Sequence, residues 1–401
     1  MAKTYEISPA QLDWLRHEVA DWERGGLVDD AGAAAILERY VASRRTTVVR
    51  LLSVLGAAFV GVGLISLVAS NVDELSPGLR FLGIVVVWLS AVVVAEALRR
   101  RLPDHDALGD GADRSIAVGS ARLIAVAAYG ATIFQAAQSL QVPAYSSGLL
   151  GCWAAGALAY AYAVRGLGPL LVGIATMVGW FAWALGERAG DGTAFIAGLL
   201  IASVLATAVA VVHEQLVSGA LERFAAPWSV VGALLALVAL FGAALPDLGR
   251  EGLQLPALGI VGLVVALALS AAAAGRAEPQ ARRELAAVVA MLAAGLGLAA
   301  WAPADAVGTL SGVELSHALV GTVVYLAASV WFAVVGAARD RPQLVNLATA
   351  GLVLFVTVQS FGVFAPLLSG AALFLILGVI LIGVGAVAER GRRRLLEEVT
   401  E

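Results

Sequence analysis

A chain of 401 residues that is 60% apolar and only 14% charged has too few polar side chains to cover a water-facing surface, which excludes an ordinary soluble domain. Its formal charge of −4 says little, because placement matters more than the sum, and its single cysteine, Cys152, excludes an intramolecular disulfide and a zinc site of the usual cysteine type. The apolar residues fall in long blocks, most of them near the ~20 residues that a bilayer-crossing helix requires.

Residues 1–46 are polar and helical in pattern, with neither the early apolar core nor the small-residue cleavage site of a signal peptide. Ser8-Pro9 makes a helix start, Leu12, Leu15, Val19 and Trp22 recur at helical spacing, and Gly25-Gly26 ends the run. Asp29 or Asp30 can cap a second helix carrying Ile36, Leu37, Tyr40 and Val41. Two short helices bury little core alone, so this hairpin must pack on the membrane domain, on the bilayer surface or on another copy. With 6 basic and 8 acidic residues it has the wrong sign for nucleic acid, and protein interaction or oligomerisation through residues 10–42 is the alternative to simple packing.

Twelve apolar blocks follow, at about 48–70, 78–98, 116–138, 146–164, 167–186, 193–213, 226–245, 256–275, 284–302, 317–338, 344–364 and 367–388. The first reads as a signal anchor that stays in the membrane. Backbone groups in hydrocarbon must bond internally, so each block is a helix, and blocks four and five, and eleven and twelve, are tight hairpins. The expected architecture is all-α: a polytopic transmembrane bundle of about 12 spans over residues 47–389, a helical hairpin over 1–46 and an Arg-rich tail over 390–401.

The basic residues orient this arrangement. With a cytoplasmic N-terminus and twelve crossings, 23 of the 26 fall on the cytoplasmic side and only Arg80, Arg188 and Arg250 on the other. An odd count would put the Arg390–Arg394 cluster outside, so both termini are expected in the cytosol. Of the basic residues 25 are arginine, a bias of GC-rich coding that suggests a bacterial source. Trp180, Trp183 and Trp301 fall near outer helix ends and Trp228 near an inner end, as in an interfacial belt, while Trp88 and Trp331 fall mid-helix. Leu75-Ser76 with Glu96 and Arg99–Arg101 matches Leu368-Ser369 with Glu389 and Arg392–Arg394 at the same spacing, a weak internal repeat.

Polar side chains at membrane depth are costly and therefore informative. One set gathers near the outer leaflet: Asn71, Asp73 and Glu74 at the end of the first block, Gln135 and Gln138 one turn apart in the third with Gln141 beyond, Glu314 and His317 at the start of the tenth, and Gln359 in the eleventh. Two readings stand. The set lines a polar vestibule for an ion or small polar solute, or Asn71 and Asp73 cap helix ends while the glutamines bond neighbouring helices. On the inner side, Arg122 either snorkels to the interface or pairs with an acid such as Glu96 or Glu214. His213-Glu214 begins a zinc-protease pattern, but Val217 stands where its second histidine belongs. No nucleotide loop, dinucleotide fingerprint or nucleophile setting is present, so neither a catalytic residue nor a metal or cofactor is expected. Gly56, Gly61, Gly63, Gly295 and Gly297 would allow close helix packing.

Several stretches together resemble the bacterial membrane proteins of domain of unknown function 2157. They are the Leu15 to Tyr40 run with Trp22, Gly26-Leu27 and Leu37, then Leu55-Gly56-Ala57 with Gly61 and Gly63, and Ala69 through Leu75. Tyr129-Gly130-Ala131 leading to Gln138, Trp153, Tyr160, the Leu344-Val345-Asn346 helix and the Arg-rich tail add to it, whereas Val72 stands where the family usually has Trp. The resemblance implies a multi-pass protein of the bacterial inner membrane and no reaction. The sequence thus offers a transporter or channel for a small polar solute or ion, against a scaffold or sensor acting through its hairpin.

Overall fold

A computed structural model describes residues 5–7, 9–42, 76–101, 116–143, 146–189, 192–217, 219–245, 255–301 and 312–364, with single positions between 52 and 63. The first block lies almost wholly, and the twelfth wholly, outside the described residues. The chain divides into two compact units, residues 1–142 and 143–401.

The first unit opens with strand β1 (Tyr5–Ile7), helices α1 (Pro9–Arg24) and α2 (Asp30–Glu38), and strand β2 (Tyr40–Ala42). Along α1 the expected stripe is real: Leu12 and Val19 are buried, and Leu15 and Trp22 half-buried. The helix stops as its glycines require. Gly26 takes φ 70°, and the Leu27 amide reaches back to the Trp22 carbonyl at 2.9 Å. Asp29 caps α2, its Oδ1 accepting the Gly32 amide at 2.8 Å. Tyr40 and Val41, expected at the end of this helix, instead form β2, which pairs in parallel with β1, Tyr5 opposite Tyr40 and Ile7 opposite Ala42. An aromatic and a β-branched residue suit a strand better than a helix end, and the pairing bonds backbone groups that a frayed last turn would leave to water.

Glu23, at the end of α1, faces Asp30 at the start of α2. A hydrogen bond that the protonated Glu23 carboxyl donates to Asp30, then the like charge of Asp30, then slight desolvation push the Glu23 carboxyl above its ordinary range. A raised acid supports the fold below its unfolded value and loses that support as pH climbs through the folded one. Backbone amides at Leu27–Gly32 should therefore exchange more slowly, relative to their intrinsic rates, at about pH 4 than at pH 7. Glu23→Gln should remove that difference, and an unchanged pH dependence in this variant would refute the pairing.

Helices α3 (Pro77–Arg100) and α4 (Ile116–Ser139) complete the described part of the first unit and pack along each other. Pro77 opens α3 at the position where its missing N–H costs nothing. Trp88 of α3 meets Tyr129 of α4 with ring centroids 5.1 Å apart, so this mid-helix Trp packs between helices. Leu82, Val86, Leu89 and Val93 of α3 remain exposed, as lipid-facing side chains do.

The second unit holds α5 (Ser147–Val164), α6 (Leu167–Ala189), α7 (Gly192–Gln215), a 3₁₀ turn (Gly219–Phe224), α8 (Ala225–Ala243), α9 (Ala257–Ala274), α10 (Pro279–Ala300), α11 (Gly312–Ala338) and α12 (Pro342–Phe364). The expected tight hairpin between blocks four and five is present, closed by Arg165 in the left-handed region. The turn expected near Pro366 lies outside the described residues.

Helix α7 is the hub, packed against α6, α8, α9 and α10. Lipid supplies no hydrophobic drive between helices, so close backbone approach and hydrogen bonds decide the contact. At Gly232 of α8 an added Cβ would meet Thr207 Oγ1 at 2.6 Å and the Thr207 amide nitrogen at 3.2 Å, and Ser203 donates to the Gly232 carbonyl at 2.8 Å. Gly295 likewise lets α10 sit on Leu200, whereas Gly297 faces open space. Phe241, Tyr325 and Phe355 lock α8, α11 and α12, the last two rings stacked 3.9 Å apart. Trp228, in the first turn of α8 at an expected interfacial depth, is buried in a cluster with Phe224, Leu170 and Ile174. Ten helices, α3 to α12, are long and apolar enough to cross a bilayer, and they coincide with expected blocks two to eleven. The fold is an all-α polytopic bundle, its only strands among the described residues being β1 and β2.

Candidate functional site

Of the polar set singled out in the sequence, Asn71, Asp73 and Glu74 lie outside the described residues, as does the side chain of Glu314. In the first unit Gln135 is buried within α4, while Gln138, in the last turn, is exposed. Spacing alone put both on one face, but the end of the helix leaves Gln138 clear of neighbours. Gln141 lies just beyond in a left-handed turn.

In the second unit His317 of α11 and Gln359 of α12 are both buried, 2% and 8% exposed. These helices run antiparallel through the Arg339–Arg341 turn, with Tyr325 against Phe355 setting their register. Gln359 lies one turn beyond Phe355 and His317 two turns beyond Tyr325, both away from that turn, so they differ in height by about 6 Å. The Nε2 of His317 donates to the Leu298 carbonyl of α10 at 3.1 Å, and Trp301 covers the ring edge-on at 5.6 Å. With that proton assigned, a neutral ring offers Nδ1 as an acceptor, and Nδ1 has no partner among the described residues. Neither has the Gln359 amide nitrogen, a donor.

The opposite end of the unit is charged. Arg339, closing α11, donates to Glu284 of α10 at 2.6 Å and also pairs with Glu214 of α7. Arg341, two residues on, lies 3.3 Å from Glu214 and donates to Ser229 of α8 at 2.9 Å. Asp340 between them takes φ 50°, a left-handed bend that Asp tolerates. One short turn thus sends two guanidinium groups onto three other helices. Sequence reasoning missed this cluster; the legible signal was Glu214 and Glu284 in the end turns of two spans, with arginines at a third helix's end. The neighbouring His213 is occupied by packing, its Nδ1 on the Val209 carbonyl at 2.7 Å and its ring on Tyr162 and Phe224.

The first unit has its own buried pair. Arg122 is 1% exposed and meets Glu96 through Nε at 3.1 Å and a second nitrogen at 3.3 Å. Of the two expectations for Arg122, the structure shows the ion pair with Glu96. The positive side of the second unit is also coherent: Arg223 donates to the Arg165 carbonyl, bringing the α5–α6 turn beside the 3₁₀ turn.

Ten membrane-length apolar helices among the described residues, with a buried ion pair within each unit, define a polytopic membrane protein whose environment is the bilayer. Residues 20–169 match the model of a family described as "Predicted membrane protein (DUF2157)", the family whose likeness Trp22, Tyr129-Gly130-Ala131 and Trp153 carry. No curated protein and no solved structure matches the chain.

Proposed function

We propose that this protein binds a small polar solute or ion within the membrane and passes it across, with the non-cytoplasmic half of the second unit as the handling site. The observation that carries the reading is the pair of buried nitrogens on His317 and Gln359 that have no partner among the described residues. An unsatisfied polar group in an apolar interior is costly, and a guest that accepts from one and donates to the other removes that cost. The orientation follows from the arginines: the Arg339–Arg341 turn, with Arg223, Arg276 and Arg282, belongs to the cytoplasmic side of a bacterial inner membrane, and His317 and Gln359 to the other. The rival reading, a scaffold acting through residues 10–42, draws on Trp14 and Leu27, both exposed on the hairpin.

The test is flux. Purified full-length protein in liposomes should carry at least one of proton, sodium, potassium, urea or glycerol above protein-free liposomes. His317→Leu and Gln359→Leu should each lower that flux about tenfold, the loss of one good hydrogen bond, while a lipid-facing Val86→Leu should not. Bilayers that stay tight to all five probes would discard transport and leave the hairpin as the working part.

A further inference from the structure

We infer that the Glu214–Glu284–Arg339–Arg341 cluster is a reversible clamp that holds the Arg-rich end of the second unit closed, and that this end opens when the cluster parts. As a gate, the inference rests on the transport reading; as a clamp, it stands on packing alone.

The packing differs between the two ends. Away from the arginines, Phe241, Tyr325 and Phe355 interlock three helices with large rings. Near them, the cluster between α7, α9 and α10 combines Ala208, Ala273, Ala277 and Ala281 with Val211 and Leu285 as its larger buried side chains, while the rings of that end, Phe224 and Trp228, pack with α5 and α6 instead. At that end the ion network adds ties between the α11–α12 turn and three further helices. Arg339 spans α10 and α7, and Arg341 ties α7 to α8. Two carboxylates face two guanidiniums, so the group is neutral as a whole and can stay partly buried.

Stability alone does not call for such a group, since apolar residues of similar volume commonly serve as well or better. What an ion network offers is two discrete arrangements, paired and hydrated, and coupling between sites requires such a two-state element. The geometry suits switching, because both arginines ride on one three-residue turn. A small shift of the α11–α12 hairpin, which also carries His317 and Gln359, would withdraw both together.

The experiment reads accessibility at each end. In full-length protein with Cys152→Ala, one reporter is Ala281→Cys, buried beside the clamp, and the other is Ala318→Cys, buried at the far end. Labelling by a charged maleimide is followed in liposomes permeabilised to reach both sides. With Arg339→Gln, and separately with the milder Glu284→Gln, the Ala281 reporter should label about tenfold faster and the Ala318 reporter unchanged. Arg339→Lys, which keeps the cation, should fall between. The clamp is overturned if neither reporter changes by more than about twofold. It is equally overturned if both accelerate together, because the network is then only a general support of the fold. No solute is needed, so an absence of flux discards the transport reading without touching the clamp, and unchanged labelling discards the clamp whatever the flux.

Discussion

Arg122→Ala should cost about 3 kcal/mol of stability, the lower end of the range for removing one member of a buried ion pair. Arg122 itself is 1% exposed, but Glu96 keeps 28% of its side chain exposed, so water can partly solvate its carboxylate in the variant. Arg122→Lys should recover only part of the loss, because one ammonium cannot meet both carboxylate oxygens as the guanidinium does. Unfolding of the detergent-solubilised protein in graded denaturant measures both. A loss below about 1 kcal/mol would make the pair no stronger than an exposed one and refute its structural role.

Gly232→Leu should be at least as damaging to the second unit. The added side chain would be driven into Thr207 and the α7 backbone, where a neighbour cannot swing aside as a flexible side chain can. Overpacking typically costs about 1–3 kcal/mol, and more where backbone must move. It would also force apart the Ser203 hydrogen bond to the Gly232 carbonyl. Gly297→Leu, with open space around it, serves as the matched control. Thermal loss of the monodisperse species should begin well below wild type for Gly232→Leu and near wild type for Gly297→Leu. Equal behaviour of the two would show that the α7–α8 crossing is not limiting.

The spans were legible because lipid imposes a length, and block length is a local property: Gly192–Gln215 or Pro342–Phe364 can be read without knowing any neighbour. So were the caps, since Asp29 and Gly26 act within a turn of themselves. What escaped was non-local. Strands of three residues pair across 35 positions of sequence, too short to show a period of two. The partner of Arg339 lies on helices 55 and 125 residues away, and nothing in the arginine's surroundings singles out Glu284 or Glu214. The position of Trp228 near a helix end was legible, but its burial beside Phe224 depends on Leu170 and Ile174, far along the chain. Of the polar set, Gln135, His317 and Gln359 are buried, and spacing could not distinguish Gln138 at the end of its helix from Gln135 inside it.

Helix α7 has the highest hydropathy of the ten spans and is the most buried of them, so in the finished molecule it touches little lipid. Three of its four neighbours, α8, α9 and α10, come later in the chain. During synthesis it must enter the bilayer before they exist. Its greasy surface therefore answers to membrane insertion, and the small residues and hydroxyls along it, Gly198, Ser203 and Thr207, to the helices that replace the lipid afterwards.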